Sequence, residues 1–193
     1  MNNELSERQK EIIKASLELI SEKGIQGLTI KNIAKKIGVV ESAIYRHFEN
    51  KTRILIAILD SIKGNPKTEN TQPSGSAIEQ IEQKLKNHFQ TFASFPALVA
   101  VVFSEDIFQN EDLLIEKTKE IIQKSIADMT AVIQEGQKQN EIRGEIVPEH
   151  FATMILGTIR MFVKQWKMSD YSFDLIQKGD ELINALKIIL KPS

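Results

Sequence analysis

Residues 29–48 contain two short amphipathic segments separated by a single glycine, and this spacing constrains the fold more than any other feature. Thr29 can cap the first segment, and Gly38 permits a tight turn after it. Val40 to Phe48 then forms the second segment. The apolar positions of the first segment recur at helical spacing: Ile30, Ile33, Ala34 and Ile37. A short helix, a glycine turn and a second short helix, in this order, predict a helix-turn-helix.

The rest of the chain also predicts helices, because apolar residues recur at helical spacing and strand-like alternation is absent. Ser6 and Gln9 form a capping box that opens the first helix. We expect Asn50 to cap the fourth helix, Asn110 the long helix over 110–140, and Ser172 the last helix, whose middle Gly179 weakens. Beyond the first three, helices are expected over 51–63, 77–94, 97–108, 110–140, 148–168 and 172–190. The predicted fold class is therefore all-α, with about nine helices.

A polar segment rich in Asn, Thr, Pro, Gly and Ser, GNPKTENTQPSGS over residues 64–76, predicts a loop. We expect a helix-turn-helix domain in residues 1–50 and a C-terminal helical domain in residues 51–193. Within it, residues 51–63 form a connecting helix and 64–76 the loop.

Charge is divided unevenly along the chain. The whole chain of 193 residues has a net charge of −1, but residues 1–63 carry 11 basic and 8 acidic side chains. The remainder carries 14 basic and 18 acidic side chains. A basic N-terminal segment on an acidic body suggests a polyanion partner at one end. Chance clustering on a solvated face is the alternative.

The composition excludes several classes of protein. The chain has no Cys, so disulfides and thiolate chemistry are excluded. The N-terminus lacks the basic and apolar regions of a signal peptide, and the longest apolar run, Ala97 to Phe103, is too short to span a bilayer. We therefore expect a cytoplasmic protein without a membrane partner. The three His residues are scattered, and nucleotide-binding and hydrolase motifs are absent, so we expect no enzyme, metal or cofactor.

The second helix of a helix-turn-helix lies in the major groove of DNA, with its N-terminal residues facing base edges. Ser42 can hydrogen-bond a base, Ala43 can contact a thymine methyl, and Glu41 can accept from cytosine N4. Tyr45 and His47 can donate to phosphate oxygens. The predicted double-stranded DNA contacts are Thr29, Lys31, Val40, Glu41, Ser42, Ala43, Tyr45, Arg46, His47 and Lys51.

The segment LTIKNIAKKIGVVESAIYRHFENKTRIL resembles the DNA-binding segment of the TetR family of bacterial regulators. The family pattern falls on Thr29, Ile33, Ala34, Gly38, Val39, Tyr45, His47, Phe48 and Lys51. The resemblance implies a homodimer that binds a palindromic operator, with a C-terminal domain whose ligand alters DNA affinity. Val40 departs from the pattern where a capping residue is usual, and Glu41 where Lys or a small residue is common. The stretch ESAIYRHFENKTR also resembles TetR-fold nucleoid occlusion factors.

The last two predicted helices are apolar on more than one face. We expect that Phe151, Ile155, Phe162 and Trp166 cannot share one core face with Met154, Ile159 and Met161. A helix that is apolar all round is buried all round, which favours pairing of these helices with their copies across a two-fold axis. A central core helix is the alternative. The predicted dimer residues are Phe151, Ile155, Phe162, Trp166, Leu182, Ile183, Leu186 and Ile189.

Polar or aromatic side chains on otherwise apolar helix faces are candidates for a ligand pocket. Met and Phe make adaptable apolar walls, so the pattern favours a small, fairly hydrophobic effector, or none. The candidates are His88, Phe92, Phe95, Phe103, Met129, Thr158, Met161, Phe162 and Gln165.

Two functions are compatible with these features. The leading prediction is a sequence-specific repressor that a small effector releases from a palindromic operator. The alternative is a DNA-bound interaction protein of the nucleoid-occlusion type, without a small-molecule effector.

Overall fold

The computed structural model describes residues 5–61, 75–103 and 111–192, and every regular element in these ranges is helical. The predicted all-α class and its nine helices are confirmed for this part of the chain. The helices are α1 (Glu7–Lys23), α2 (Ile30–Ile37), α3 (Glu41–Tyr45), α4 (Lys51–Ser61), α5 (Ala77–Ser94), α6 (Pro96–Val102), α7 (Asp112–Lys138), α8 (Pro148–Met168) and α9 (Leu175–Leu190), with a 3₁₀ turn at Ile25–Gly27.

Parts of the predicted elements lie outside the described residues. These parts are residues 64–74 of the predicted loop, the end of the helix expected over 97–108, and the cap expected at residue 110. In the described part of the chain, no helix has the length and apolar character needed to cross a membrane.

The described residues pack as two compact units. The first contains residues 5–61, 95–103 and 111–118, and the second contains 75–94 and 119–192. Helix α7 therefore begins in the first unit and continues in the second. Helix α4 packs with the N-terminal helices in the first unit. The predicted boundary between the two functional domains, after residue 50, stays a prediction.

Helix α1 is the centre of the first unit and packs on α2, α4 and α6. Ile12, Ile33, Ile44 and Ile58 are fully buried there. Each such side chain contributes about 1.5–3 kcal/mol of transfer free energy. Ser16 is also buried, and its hydroxyl donates to the Ile12 carbonyl at 2.7 Å, so this buried hydroxyl is paired.

Two of the predicted helix caps are present as hydrogen bonds. The Ser6 hydroxyl oxygen accepts from the Gln9 backbone N–H at 3.3 Å, and the Ser6 N–H donates to Gln9 Oε1 at 2.9 Å. Thr29 Oγ1 accepts from the Asn32 N–H at 3.1 Å. A cap of this kind stabilises a helix by about 1 kcal/mol.

The predicted cap of the last helix is wrong. Asp174, not Ser172, precedes α9 and accepts from the backbone N–H groups of Ile176 and Gln177 at 2.9 and 3.0 Å. An ionised carboxylate at this position also interacts favourably with the positive end of the helix dipole. A hydroxyl two residues earlier cannot make the same contacts.

Gly179 lets α9 approach α5 in the second unit. A Cβ at this position would lie 2.6 Å from a ring carbon of Phe89. The Phe89 ring is itself held edge-on against Phe162, with ring centroids 5.9 Å apart. The sequence pattern marked Gly179 as a weak point in its helix, whereas the structure shows it as a requirement of close packing.

We expect Gly179→Ala to lower the free energy of unfolding by roughly 1 kcal/mol, and by at most about 2 kcal/mol. The gain in helix propensity, about 1 kcal/mol, is outweighed by overpacking against Phe89, which costs about 1–3 kcal/mol. Urea denaturation measures the change. Gly144→Ala is the matched control, because no atom lies within 4 Å of its added Cβ, and it should shift stability by less than about 0.5 kcal/mol. Equal stability of both variants would mean that the Phe89 ring is free to move.

Candidate nucleic-acid interface

The turn between α2 and α3 requires Gly38. Its backbone is left-handed, with φ 73° and ψ 33°, a conformation that strains residues carrying a Cβ. The Ala34 carbonyl accepts from the Val39 N–H at 2.9 Å, which closes the turn. Ile44 and Phe48 are buried beneath α3. The two helices are therefore held in the predicted helix-turn-helix arrangement by one glycine and two apolar anchors.

Helix α3 is shorter than the predicted span of Val40 to Phe48. The Ile44 carbonyl accepts from the N–H groups of both His47 and Phe48, at 2.9 and 3.0 Å, so the helix ends in a tightened turn. Val40 occupies the N-cap position without a side-chain hydrogen bond, as the sequence predicted. The missing cap costs about 1 kcal/mol and leaves the start of α3 dependent on its apolar anchors.

Most of the predicted DNA-contacting side chains are accessible. Thr29, Lys31, Val40, Glu41, Ser42, Tyr45 and Arg46 are exposed, whereas Ala43, His47 and Lys51 are half-buried. Val40 and Tyr45 are 69% and 51% exposed, although both are largely apolar. A surface that exposes them beside small and basic side chains is suited to contact bases and phosphates.

Neighbouring lysines of α2 have different environments. Lys36 is paired with Glu22 at 2.7 Å and Glu18 at 3.2 Å. The hydrogen bond with Glu22 raises the pKa of Lys36, and the same bond lowers the pKa of Glu22. Lys31 and Lys35 are exposed and form no ion pair within the described ranges. Lys35 is absent from the predicted set, although its four-residue spacing from Lys31 places both ammonium groups on one face.

Lys51 lies at the first position of α4 and is half-buried. Burial lowers the pKa of its ammonium, while attraction to the Glu111 carboxylate acts in the opposite direction. Asn50 Oδ1 accepts from the Arg53 N–H at 3.0 Å, which confirms the predicted cap of α4. The first turn of α4 thus combines a lysine with the positive end of a helix dipole.

The predicted ligand residues do not gather in one place. Phe95 and Phe103 belong to the first unit and the other seven to the second. An open groove of about 490 Å³ runs along α8, and its lining includes the predicted Thr158, Met161, Phe162 and Gln165 together with Met154 and Gly157. The predicted His88, Phe92 and Met129 lie on other helices and do not line this groove.

His88 is the one ionisable side chain among the predicted ligand residues. Burial, and secondarily repulsion from Lys84, lowers the pKa of its imidazole. The side chain is therefore neutral at pH 7, when it can donate one hydrogen bond and accept another. Across the described residues, no three His, Asp or Glu side chains are grouped to hold a metal ion.

Most of the predicted dimer residues are buried in the chain's own core. Phe151, Ile155, Trp166, Ile183 and Leu186 are no more than 8% exposed, and Phe162 and Leu182 are half-buried. Ile189 is 47% exposed. The dimer itself stays a prediction, but these five buried side chains cannot reach a partner in this structure.

The expectation that the two sets of apolar residues of α8 cannot share one core face is partly wrong. Ile159 is buried on the same face as Phe151, Ile155 and Trp166, because positions four, eight and fifteen residues apart lie within a quarter-turn of the helix. Met154, Met161 and Met168 follow one another every seven residues on a different face. They are 56%, 58% and 77% exposed, so α8 has one buried apolar face and one exposed apolar stripe.

Two family models match the chain. One, described as bacterial regulatory proteins of the tetR family, matches residues 12–58. The other, described as the C-terminal region of YsiA-like protein, matches residues 55–189. Together they cover both the helix-turn-helix and the helices that follow it.

Individual proteins match over nearly the whole chain. The fatty acid metabolism regulator protein of Bacillus subtilis (strain 168) is 28% identical over 179 residues, which cover 91% of this chain and 92% of the relative. The crystal structure of the transcriptional regulator FadR from Bacillus subtilis in complex with stearoyl-CoA is similar, with a TM-score of 0.78 at 27% identity, and the match covers 94% of this chain and 98% of that one. The nucleoid occlusion factor SlmA of Serratia proteamaculans (strain 568) is 24% identical over 189 residues, covering 90% and 89% of the two chains.

Proposed function

Because the chain belongs to the tetR family of bacterial regulatory proteins, we propose that it is a dimeric transcriptional repressor released from a palindromic operator by a fatty acyl-CoA. The observation that carries the proposal is the full-length similarity to a Bacillus subtilis regulator whose structure contains stearoyl-CoA. A long acyl chain also belongs to the class of hydrophobic effector that the sequence predicts.

The DNA-binding part of the proposal uses the exposed start of α3. Ser42 and Ala43 face base edges in the major groove, where a hydroxyl can hydrogen-bond and a methyl can contact thymine. Lys31, Tyr45 and Lys51 donate to phosphates on either side of the groove. The buried Ile44 anchors α3, which packs on α2.

The dimer in this proposal forms through the exposed face of α8. Three methionines spaced by seven residues give this face an adaptable apolar stripe. Gly157 lies on the same face and has no atom within 4 Å of its ideal Cβ position, so a second backbone can approach closely. A two-fold axis along this stripe brings two recognition helices to a palindromic site.

The effector part of the proposal concerns the interior of the second unit. Phe162 contacts both Phe89 and Phe173, with ring centroids 5.9 and 5.6 Å apart. These aromatic rings supply the kind of apolar wall that an acyl chain fills. An acyl-CoA releases DNA only by binding the DNA-incompetent state more tightly, and a 100-fold fall in operator affinity requires about 2.7 kcal/mol of such preference.

We expect purified protein to select a palindrome from a random DNA pool at fixed salt, with half-sites about one helical turn or more apart. Stearoyl-CoA should then weaken binding to the selected site by at least about ten-fold, as measured by fluorescence anisotropy. Coenzyme A and stearate, tested separately, are the matched controls and should have little effect. Binding of stearoyl-CoA without a change in operator affinity would contradict the effector part and leave the DNA-binding part standing.

A second candidate function is favoured by the similarity to a nucleoid occlusion factor over 90% of the chain. In that role the protein would occupy many dispersed sites and bind a protein partner through its second unit. Genome-wide occupancy separates the candidates, because a local repressor occupies few sites.

A further inference from the structure

The first turn of α4 already has an anionic neighbour. Thr52 Oγ1 donates to Glu111 Oε2 at 3.0 Å, although the two residues are 59 positions apart in sequence. Glu111 immediately precedes α7, and its carbonyl accepts from the Leu114 and Ile115 N–H groups. Its backbone is therefore fixed by α7 while its carboxylate reaches α4.

The carboxylate lies where a DNA phosphate would be attracted. The first turn of a helix favours an anion, because its unpaired N–H groups form the positive end of the dipole. Lys51 adds an ammonium to the same turn, and the Glu111 charge acts on it. A phosphate that approaches Lys51 therefore meets both the attraction of α4 and the repulsion of Glu111.

A second contact fixes the position of α7 along α4. Lys117 Nζ pairs with Asp60 Oδ1 at 2.8 Å. Asp60 lies near the C-terminal end of α4, whereas the contact between Thr52 and Glu111 lies at its N-terminal end. The two contacts follow the same order along both helices, and both connect the start of α7 to α4 within the first unit. The pairing leaves Glu111 little freedom to move away from α4 unless α7 moves.

We infer that Glu111 is an intramolecular competitor for the operator phosphate at the start of α4 and thereby lowers the affinity of the protein for DNA. The inference rests on the DNA-binding part of the proposed function and is independent of the effector. Thr52, Glu111, Asp60 and Lys117 all belong to the first unit, so the competing carboxylate and the start of α4 lie in the same compact unit.

The test compares Glu111→Gln with Asp112→Asn in the full-length protein. Both remove one negative charge at the start of α7, but Asp112 is exposed and makes no hydrogen bond or ion pair with α4 in the described ranges. Glu111→Gln should bind the selected operator on the order of ten-fold more tightly, because each subunit contributes about three-fold. Asp112→Asn should bind like the wild type.

Two further measurements identify the cause. The gain in DNA affinity of the Glu111→Gln variant should also be seen on non-specific DNA of equal length, because phosphate contacts carry no sequence information. It should shrink as salt rises, because the repulsion is screened. Equal gains in both variants, or no gain in Glu111→Gln, would overturn the inference. If the wild type selects no site at all, the proposed function fails instead, so the two failures are distinguishable.

Discussion

Replacing Tyr45 by alanine should weaken operator binding by about 30- to 150-fold without unfolding the protein. A typical hydrogen bond of the phenol contributes about 1–1.5 kcal/mol net per subunit, and a dimer loses it twice. The side chain is 51% exposed, so its removal leaves the core of the first unit intact. Fluorescence anisotropy at fixed salt measures the affinity, and thermal unfolding checks the fold.

Tyr45→Phe is the matched control for this experiment. It keeps the ring and removes only the hydroxyl, so it separates the hydrogen bond from packing against the sugar-phosphate backbone. The phenylalanine variant should lose most of the affinity that alanine loses. Wild-type affinity in Tyr45→Ala would remove this residue from the DNA contacts. The phosphate role would then pass to Lys31 and Lys35, which form no ion pair with any residue that the structure describes.

The parts of the fold that local interactions decide could be predicted from sequence. Ser6, Thr29 and Asn50 each bond a backbone N–H three residues ahead, so a short window contains both partners. Gly38 could likewise be predicted, because the turn that requires its left-handed backbone involves only neighbouring residues. The error at the last helix is of the same local kind, since Asp174 and Ser172 are both capping residues and only the backbone path selects one.

The parts that depend on tertiary partners could not be predicted. The apolar residues of α8 suggested burial on every side, but the packing of α5 and α9 covers only one face. Which face is covered depends on helices distant in sequence, so Phe151 was assigned to an interface rather than to a core. The contact between Thr52 and Glu111 spans 59 residues and leaves no local pattern. Lys51 was therefore predicted as a phosphate donor without its competing carboxylate.

Replacing Met161 by glutamate should dissociate the proposed dimer, raising its dissociation constant by at least about 100-fold. Met161 lies in the middle of the exposed stripe of α8, seven residues from both Met154 and Met168. Near a two-fold axis the two new carboxylates would be buried close together, and each unpaired charge costs several kcal/mol. Because the side chain is 58% exposed in the single chain, the monomer should keep its fold. Sedimentation velocity at micromolar concentration measures the association state.

Thr153→Glu is the matched control, because it adds the same charge to α8 at an exposed position about a quarter-turn from Met161. It should remain dimeric and bind the operator. Met161→Glu should lose nearly all specific binding, because a monomer contacts a single half-site and gives up the additive contribution of the second. If Met161→Glu stays dimeric, the two-fold axis lies elsewhere. The groove along α8 would then be open to a ligand, and the same substitution should abolish the effect of stearoyl-CoA while leaving operator affinity unchanged.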